Sequence, residues 1–178
     1  MDLRTERTKR SIANAFLELR KQKPLEKITV KELAELAYIN KATFYTHYHD
    51  IYDLSDQLEN EFMDSVIKEL PHAESIITDP ALATRELSDM LHSKKDITDI
   101  LFSGSRQSKL SEKIYTSLMK YIVSKYPNEP KSLQTNIVLS IIIQGCFHAY
   151  QMFANDENSV EVTEILGQVG TCLKNNFL

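Results

Sequence analysis

Ala42, Thr43 and Thr46 are the residues of this chain whose types and spacing could do the most distinctive chemistry. At about 100° per residue they share one side of a helix, with Tyr45 and His47 at its margins and Phe44 and Tyr48, four positions apart, on the opposite side. The first side offers hydroxyls and methyls without bulk, and no Asp or Glu lies between Lys41 and Tyr48. Such a surface suits a major groove, where hydroxyls exchange hydrogen bonds with bases or phosphates and a methyl meets thymine.

A reading surface needs elements that hold it outward. Thr29 is a good N-cap for a helix over Lys31 to Ala37, with Leu33, Leu36 and Ala37 turned inward and Lys31, Glu32 and Glu35 left polar. Tyr38, Ile39 and Asn40 interrupt it, and a second helix opens at Lys41. Leu33, Ile39, Phe44 and Tyr48 then make a miniature core, and the pair reads as a helix-turn-helix. Upstream, a helix from about Thr5 to Lys21 buries Ile12, Phe16 and Leu19, with Arg4, Arg7, Lys9 and Arg10 gathered at its start as a phosphate-binding arm or a solvated terminus. Downstream, Tyr52, Leu54, Leu58, Phe62, Val66 and Leu70 mark the buried side of a long helix from Ile51 to Leu70, ended by Pro71. The candidate DNA contacts are Thr29, Lys31, Lys41, Ala42, Thr43, Tyr45, Thr46 and His47, with Arg4 and Arg7.

The run Thr43, Phe44, Tyr45, Thr46, His47, Tyr48 resembles the end of the helix-turn-helix in the TetR family of bacterial transcriptional regulators. The resemblance extends back to Arg7 and forward to about Leu58. Two positions depart from it: the family usually has Gly where this chain has Tyr38, and Lys where it has Ile51. A non-glycine turn residue lacks glycine's freedom, and Ile51 removes an expected phosphate contact. The resemblance implies an all-α fold of about nine helices, with a three-helix DNA-binding domain over 1–50 and a helical ligand-binding and dimerisation domain over 51–178, joined by the helix 51–70. It also implies a homodimer on a palindromic double-stranded DNA operator, most often as a repressor, released by a small-molecule effector that shifts the fourth helix. It implies no cofactor.

Composition agrees with that class. The 178 residues are 42% hydrophobic with only 4 Gly and 5 Pro, and long stretches carry helical periodicity without alternating strand runs. Residues 1–50 hold 10 Lys/Arg against 7 Asp/Glu, whereas the rest hold 11 against 18, so the positive end is the motif end. Net acidity does not oppose DNA binding, because phosphate attraction acts within a Debye length, about 8 Å at physiological salt. Cys146 and Cys172 sit in apolar helical stretches as small hydrophobes. The charged start is unlike a signal peptide and no run reaches the ~18 apolar residues of a membrane span, so a cytoplasmic protein is expected. Catalytic and metal-binding residues are not expected: the histidines are scattered, His47 and His49 lack a third ligand, and no phosphate loop or nucleophile elbow is present. Asp53, Asp56, Glu59, Glu61 and Asp64 read as a solvated charge run.

The remaining chain predicts helices near Pro80 to His92, Asp96 to Phe102, Ser108 to Lys125, Ser132 to Asn155 and Ser159 to Phe177, broken at Gly104, Pro127, Pro130 and the polar run 155–159. Ile137 to Phe153 is apolar almost all round, which means burial on more than one side. With the last helix it predicts a four-helix dimer interface including Ile141, Ile165, Val169 and Leu173, with Gly167 and Gly170 permitting close approach; the alternative is monomer core. Within the apolar helix Ser140, Gln144, His148 and Gln151 form a polar stripe. With Tyr115, Phe147 and Phe102 as walls it borders an effector pocket, or else it is a seam at the dimer contact. The rival function is a helical protein-interaction module with little DNA affinity, which salt-dependent duplex binding would separate from a regulator.

Overall fold

The computed structural model describes residues 3–73, 75–125, 132–155 and 157–178, and among them the chain forms helices and no strand. The helices are α1 (Leu3–Gln22), α2 (Val30–Leu36), α3 (Lys41–Tyr45), α4 (Ile51–Glu69), the single turn α5 (Ser75–Thr78), α6 (Pro80–Ser93), α7 (Lys95–Leu101), α8 (Lys109–Lys125), α9 (Leu133–Ser140), α10 (Cys146–Phe153) and α11 (Ser159–Phe177). A π turn over Ile141–Gly145 joins α9 to α10 in one continuous helix, so the described residues hold nine helices beside the single turn. The expected breaks at Pro127 and Pro130, and part of that at 155–159, lie outside the described residues.

The chain divides into two compact units. One runs up to Glu61 and takes in residues 96–108; the other comprises residues 62–95 and 109–178. The boundary expected at residue 50 is therefore not where the compact units part.

In the first unit Ile12, Phe16 and Leu19 of α1 are buried as their spacing requires, alongside Leu33, Phe44 and Leu54. Two apolar expectations are corrected. Leu36 is 45% exposed, because α2 turns Leu33, Ala34 and Ala37 inward and leaves Leu36 on the rim. Tyr52 is half exposed, because α4 buries Ile51, Leu54 and Ser55 instead.

The charge run on α4 is also not uniformly solvated, since Glu59 is fully buried. Ser55 Oγ donates to its Oε1 at 2.7 Å, Arg106 Nε donates to the same oxygen at 2.7 Å, and Arg106 Nη2 reaches Oε2 at 2.6 Å and Asp56 as well. The Glu59 hydrogen bonds, ahead of its charge, push the Arg106 guanidinium above its ordinary value. Nearby, buried Arg20 donates to Ser103 Oγ at 2.7 Å and to its carbonyl at 3.3 Å, while Ser105 donates to Glu26. Gly104, at φ 60°, makes the turn that presents Ser103, Ser105 and Arg106 together. A buried charge held this way tolerates loss of its partner poorly.

In the second unit α6 lies against α11 at very short range. A Cβ on Gly167 would stand 2.7 Å from the Ala81 Cα, and one on Gly170 would stand 3.0 Å from the Pro80 Cβ. The two glycines thus serve a close approach to α6 of the same chain rather than to a partner.

The helix Leu133–Phe153 has a mean hydropathy of 1.2 over its most apolar 18-residue window, enough by length and composition to cross a bilayer, which corrects the expectation that no run reaches that length. Its Val138, Leu139, Ile142 and Ile143 are buried, and its π turn packs on α8, so part of the helix is core.

Candidate nucleic-acid interface

The candidate face is built by two helix ends and one turn. Thr29 caps α2 by accepting the Glu32 N–H at 3.3 Å. At the other end the Ile39 N–H bonds the Ala34 carbonyl at 3.0 Å and the Tyr38 N–H bonds that of Glu35 at 3.2 Å, the paired pattern of a Schellman cap. That cap requires a left-handed residue, and Tyr38 supplies it at φ 55° with its ring 95% exposed. Ser11 Oγ on α1 donates to the Ala37 carbonyl at 2.9 Å, fixing the turn to the first helix.

Asn40 then caps α3, its Oδ1 accepting both the Thr43 N–H at 2.7 Å and the Thr43 hydroxyl at 2.9 Å. The Thr46 hydroxyl donates to the Thr43 carbonyl at 2.7 Å. Phe44 anchors the helix inward, with its ring centroid 5.5 Å from that of Tyr45 and 5.6 Å from that of Tyr48. Burial, followed by the Glu61 and Asp53 charges, pushes the Tyr48 hydroxyl up to about 12.

Beyond it, Asp50 accepts the Asp53 N–H at 2.8 Å and Asp53 accepts the His49 N–H at 2.8 Å, a reciprocal cap on α4. The Gln57 side-chain hydrogen bond, then the His49 N–H, hold the Asp53 carboxyl below its usual range. Ile51 is buried and presents nothing to a phosphate.

All ten residues expected to meet DNA fall in the first unit. Lys41, Ala42, Tyr45 and Thr46 are exposed, Thr43 and His47 half buried. Thr29 and Lys31 are exposed at the start of α2, and Arg4 and Arg7 at the start of α1. Sequence reasoning missed two features. Asn40 was read only as part of the turn, although an Asn immediately before a helix, with a Thr three positions on, is a capping signal. The Glu59–Arg106 pair had no signal, because its members lie 47 positions apart.

The other expected residues fall mainly in the second unit. Of the effector candidates, Phe102 is buried in the first unit, Tyr115 and Phe147 are half buried, and Gln144, His148 and Gln151 are exposed. Gln144 Nε2 bonds Ser140 Oγ at 2.9 Å. Ile141, Ile165 and Val169 are about half exposed, and Leu173 somewhat less. A groove of about 610 Å³ is lined by Leu133, Gln134, Ile137, Val138, Ile141, Leu173 and Phe177. Among the described residues, no three or more His, Cys, Asp or Glu side chains gather as a metal site would require.

Helix order, the capped helix-turn-helix and the helical second unit give this chain a TetR-like fold. The crystal structure of the TetR family repressor AlkX from Dietzia sp. strain DQ12-45-1b, implicated in biodegradation of n-alkanes, matches it with a TM-score of 0.59 over 94% of this chain and 98% of that one, at 17% identity. No family model and no curated protein matches the sequence.

Proposed function

We propose that this chain is a dimeric, cytoplasmic, non-catalytic repressor that binds a palindromic double-stranded DNA operator through α2, α3 and the start of α1. The observation that carries the reading is the exposed α3 face, which bears Ala42, Thr43, Tyr45 and Thr46 without a carboxylate, on a regulator's fold. A groove-reading helix needs small hydrogen-bonding side chains facing out and an apolar anchor facing in, and α3 has both. Lys41 at the start of α3, Lys31 at the start of α2, and Arg4 and Arg7 at the start of α1 are exposed cations of the same unit that would meet phosphates.

The apolar surface of the second unit supports dimerisation. Ile137, Ile141, Ile165, Val169 and Phe177 stand about half exposed on two adjacent helices, and Ile137, Ile141 and Phe177 line a groove that a second copy's apolar side chains would fill. A twofold pair reads two half-sites about 34–36 Å apart, or a multiple of that, which gives specificity that one motif lacks. A small effector in the second unit would release the operator to the extent that it bound the released state more tightly.

The test starts with selection of duplexes from a random pool by the full-length protein. A palindromic consensus, bound with an affinity that falls steeply with salt, is expected. Replacing Thr43 by Ala and Tyr45 by Phe together should weaken binding to that duplex by roughly tenfold or more without changing the oligomer. Unaltered affinity would show that the reading face lies elsewhere.

A further inference from the structure

From the hydrogen bonds at the two caps of α3 we infer that its outward face selects A·T base pairs by accepting from the adenine amino group and packing on the thymine methyl, with Thr43 and the C-cap residue Thr46 as the specificity-determining residues. The inference rests on the DNA-binding reading and adds the base chemistry to it.

A threonine hydroxyl has one proton to give and two lone pairs with which to accept. The Thr43 proton is given to Asn40 Oδ1 at 2.9 Å, and the Thr46 proton to the Thr43 carbonyl at 2.7 Å. Both bonds belong to the helix itself. Asn40 Oδ1 receives the Thr43 N–H and hydroxyl together, so turning the hydroxyl outward would give up part of the cap. What the two threonines keep for a partner is acceptor capacity from two oxygens, with their methyls and that of Ala42 beside them, while the donors of Tyr45 and His47 stand at the margins.

The major-groove edges respond differently to such a face. Guanine presents only acceptors, N7 and O6, so acceptor would meet acceptor. Cytosine presents its N4 amino donor but no methyl. Only A·T offers both, an N6 amino donor on one base and a C5 methyl on the other. Phosphates need donors, so these two hydroxyls are also poorly suited to the backbone. The sequence adds an independent point: no arginine occurs between Arg20 and Arg85, so the helix-turn-helix lacks the side chain that reads guanine best. Lys41, at the start of α3, keeps its donors for a flanking guanine or phosphate outside the threonine positions.

Selection from a random duplex pool with wild type, Thr43→Val and Thr46→Val locates the base pairs each threonine reads. Valine keeps the shape and a methyl but cannot accept, and circular dichroism checks that helix content is unchanged. Wild type should enrich A·T at the positions that lose preference in the valine variants. In the wild-type consensus duplex, replacing that adenine by purine lacking the N6 amino group, or that thymine by uracil, should each weaken binding by about fivefold or more. As a second variant, Thr43→Ser should keep discrimination for the amino group and lose that for the methyl. Guanine enriched at those positions, or a consensus unchanged in both valine variants, would overturn the inference while leaving DNA binding intact. Failure of wild type to enrich any duplex would overturn DNA binding and the inference with it.

Discussion

Side-chain chemistry on the outward face of α3 was legible, but its state of hydrogen bonding was not. Residue type and a helical period suffice to put Thr43 and Thr46 opposite Phe44; the direction of the Thr43 hydroxyl depends on Asn40 and that of Thr46 on the Thr43 carbonyl, partners that only come into place once α3 is formed. Tyr38 was legible in a second sense, as a residue standing where a glycine is wanted, and it does adopt the left-handed conformation, at φ 55°. That conformation costs an L-residue roughly 1–2 kcal/mol. With its ring solvated, Tyr38 gains little packing in return. Tyr38→Gly is therefore expected to raise stability by about 0.5–1 kcal/mol after the entropy cost of glycine, read as a higher urea midpoint with unchanged slope. A fall in midpoint would mean that the tyrosine ring makes stabilising contacts outweighing the backbone strain. Tyr48 carries a pH signature as well. Its pKa is raised to about 12, so its contribution is complete below the unfolded value near 10 and is lost as pH climbs through 12. Thermal melts from pH 9 to 12 should show wild type losing on the order of 2 kcal/mol more than Tyr48→Phe. Parallel curves would mean that the hydroxyl ionises as freely in the fold as out of it.

Helices themselves were the most legible level, because caps, prolines and apolar stripes agree locally; α6, α8 and α11 begin and end within a residue or two of expectation. What periodicity cannot supply is the identity of the surface each stripe meets. Gly167 and Gly170 announced a close contact, yet their neighbour is α6, more than eighty positions earlier in the chain. Gly167→Ala would place a methyl 2.7 Å from the Ala81 backbone. A flexible side chain could move aside, but a main-chain atom moves only with its helix. The expected cost is about 1–3 kcal/mol, reduced by up to about 1 kcal/mol of better helix propensity. Gly145→Ala, with nothing within 4 Å of the added methyl, should instead stabilise by a fraction of a kcal/mol to about 1 kcal/mol. Opposite shifts in melting temperature for the two variants would confirm that packing, not propensity, decides at Gly167; equal shifts would refute the close contact.

At the scale of the whole molecule, charge and hydrophobicity divide the work. The motif end is net positive, the remainder net negative, and the exposed apolar side chains collect on α9 to α11. The unit boundary was hidden because residues 96–108 return to the first unit through Arg106 and Glu59, a buried ion pair that no local pattern announces. The apolar surface was visible in sequence as excess hydrophobicity, but which side chains are core and which stay at the surface needed the fold. Val138 and Ile142 are core, whereas Ile141 and Val169 remain about half exposed. Replacing Ile141 and Val169 each by Glu should therefore leave helix content intact while placing like charges on both sides of a twofold contact. Sedimentation velocity is expected to show a monomer where wild type shows a dimer. Loss of the partner also removes the second reading head, and an intramolecular second contact is worth about 10²–10⁴ in avidity, so affinity for the full palindrome should fall towards that for one half-site. A variant that stays dimeric would move the interface elsewhere. One that becomes monomeric yet holds the palindrome as tightly as before would show that a single motif carries all the affinity, and would remove the reason for pairing.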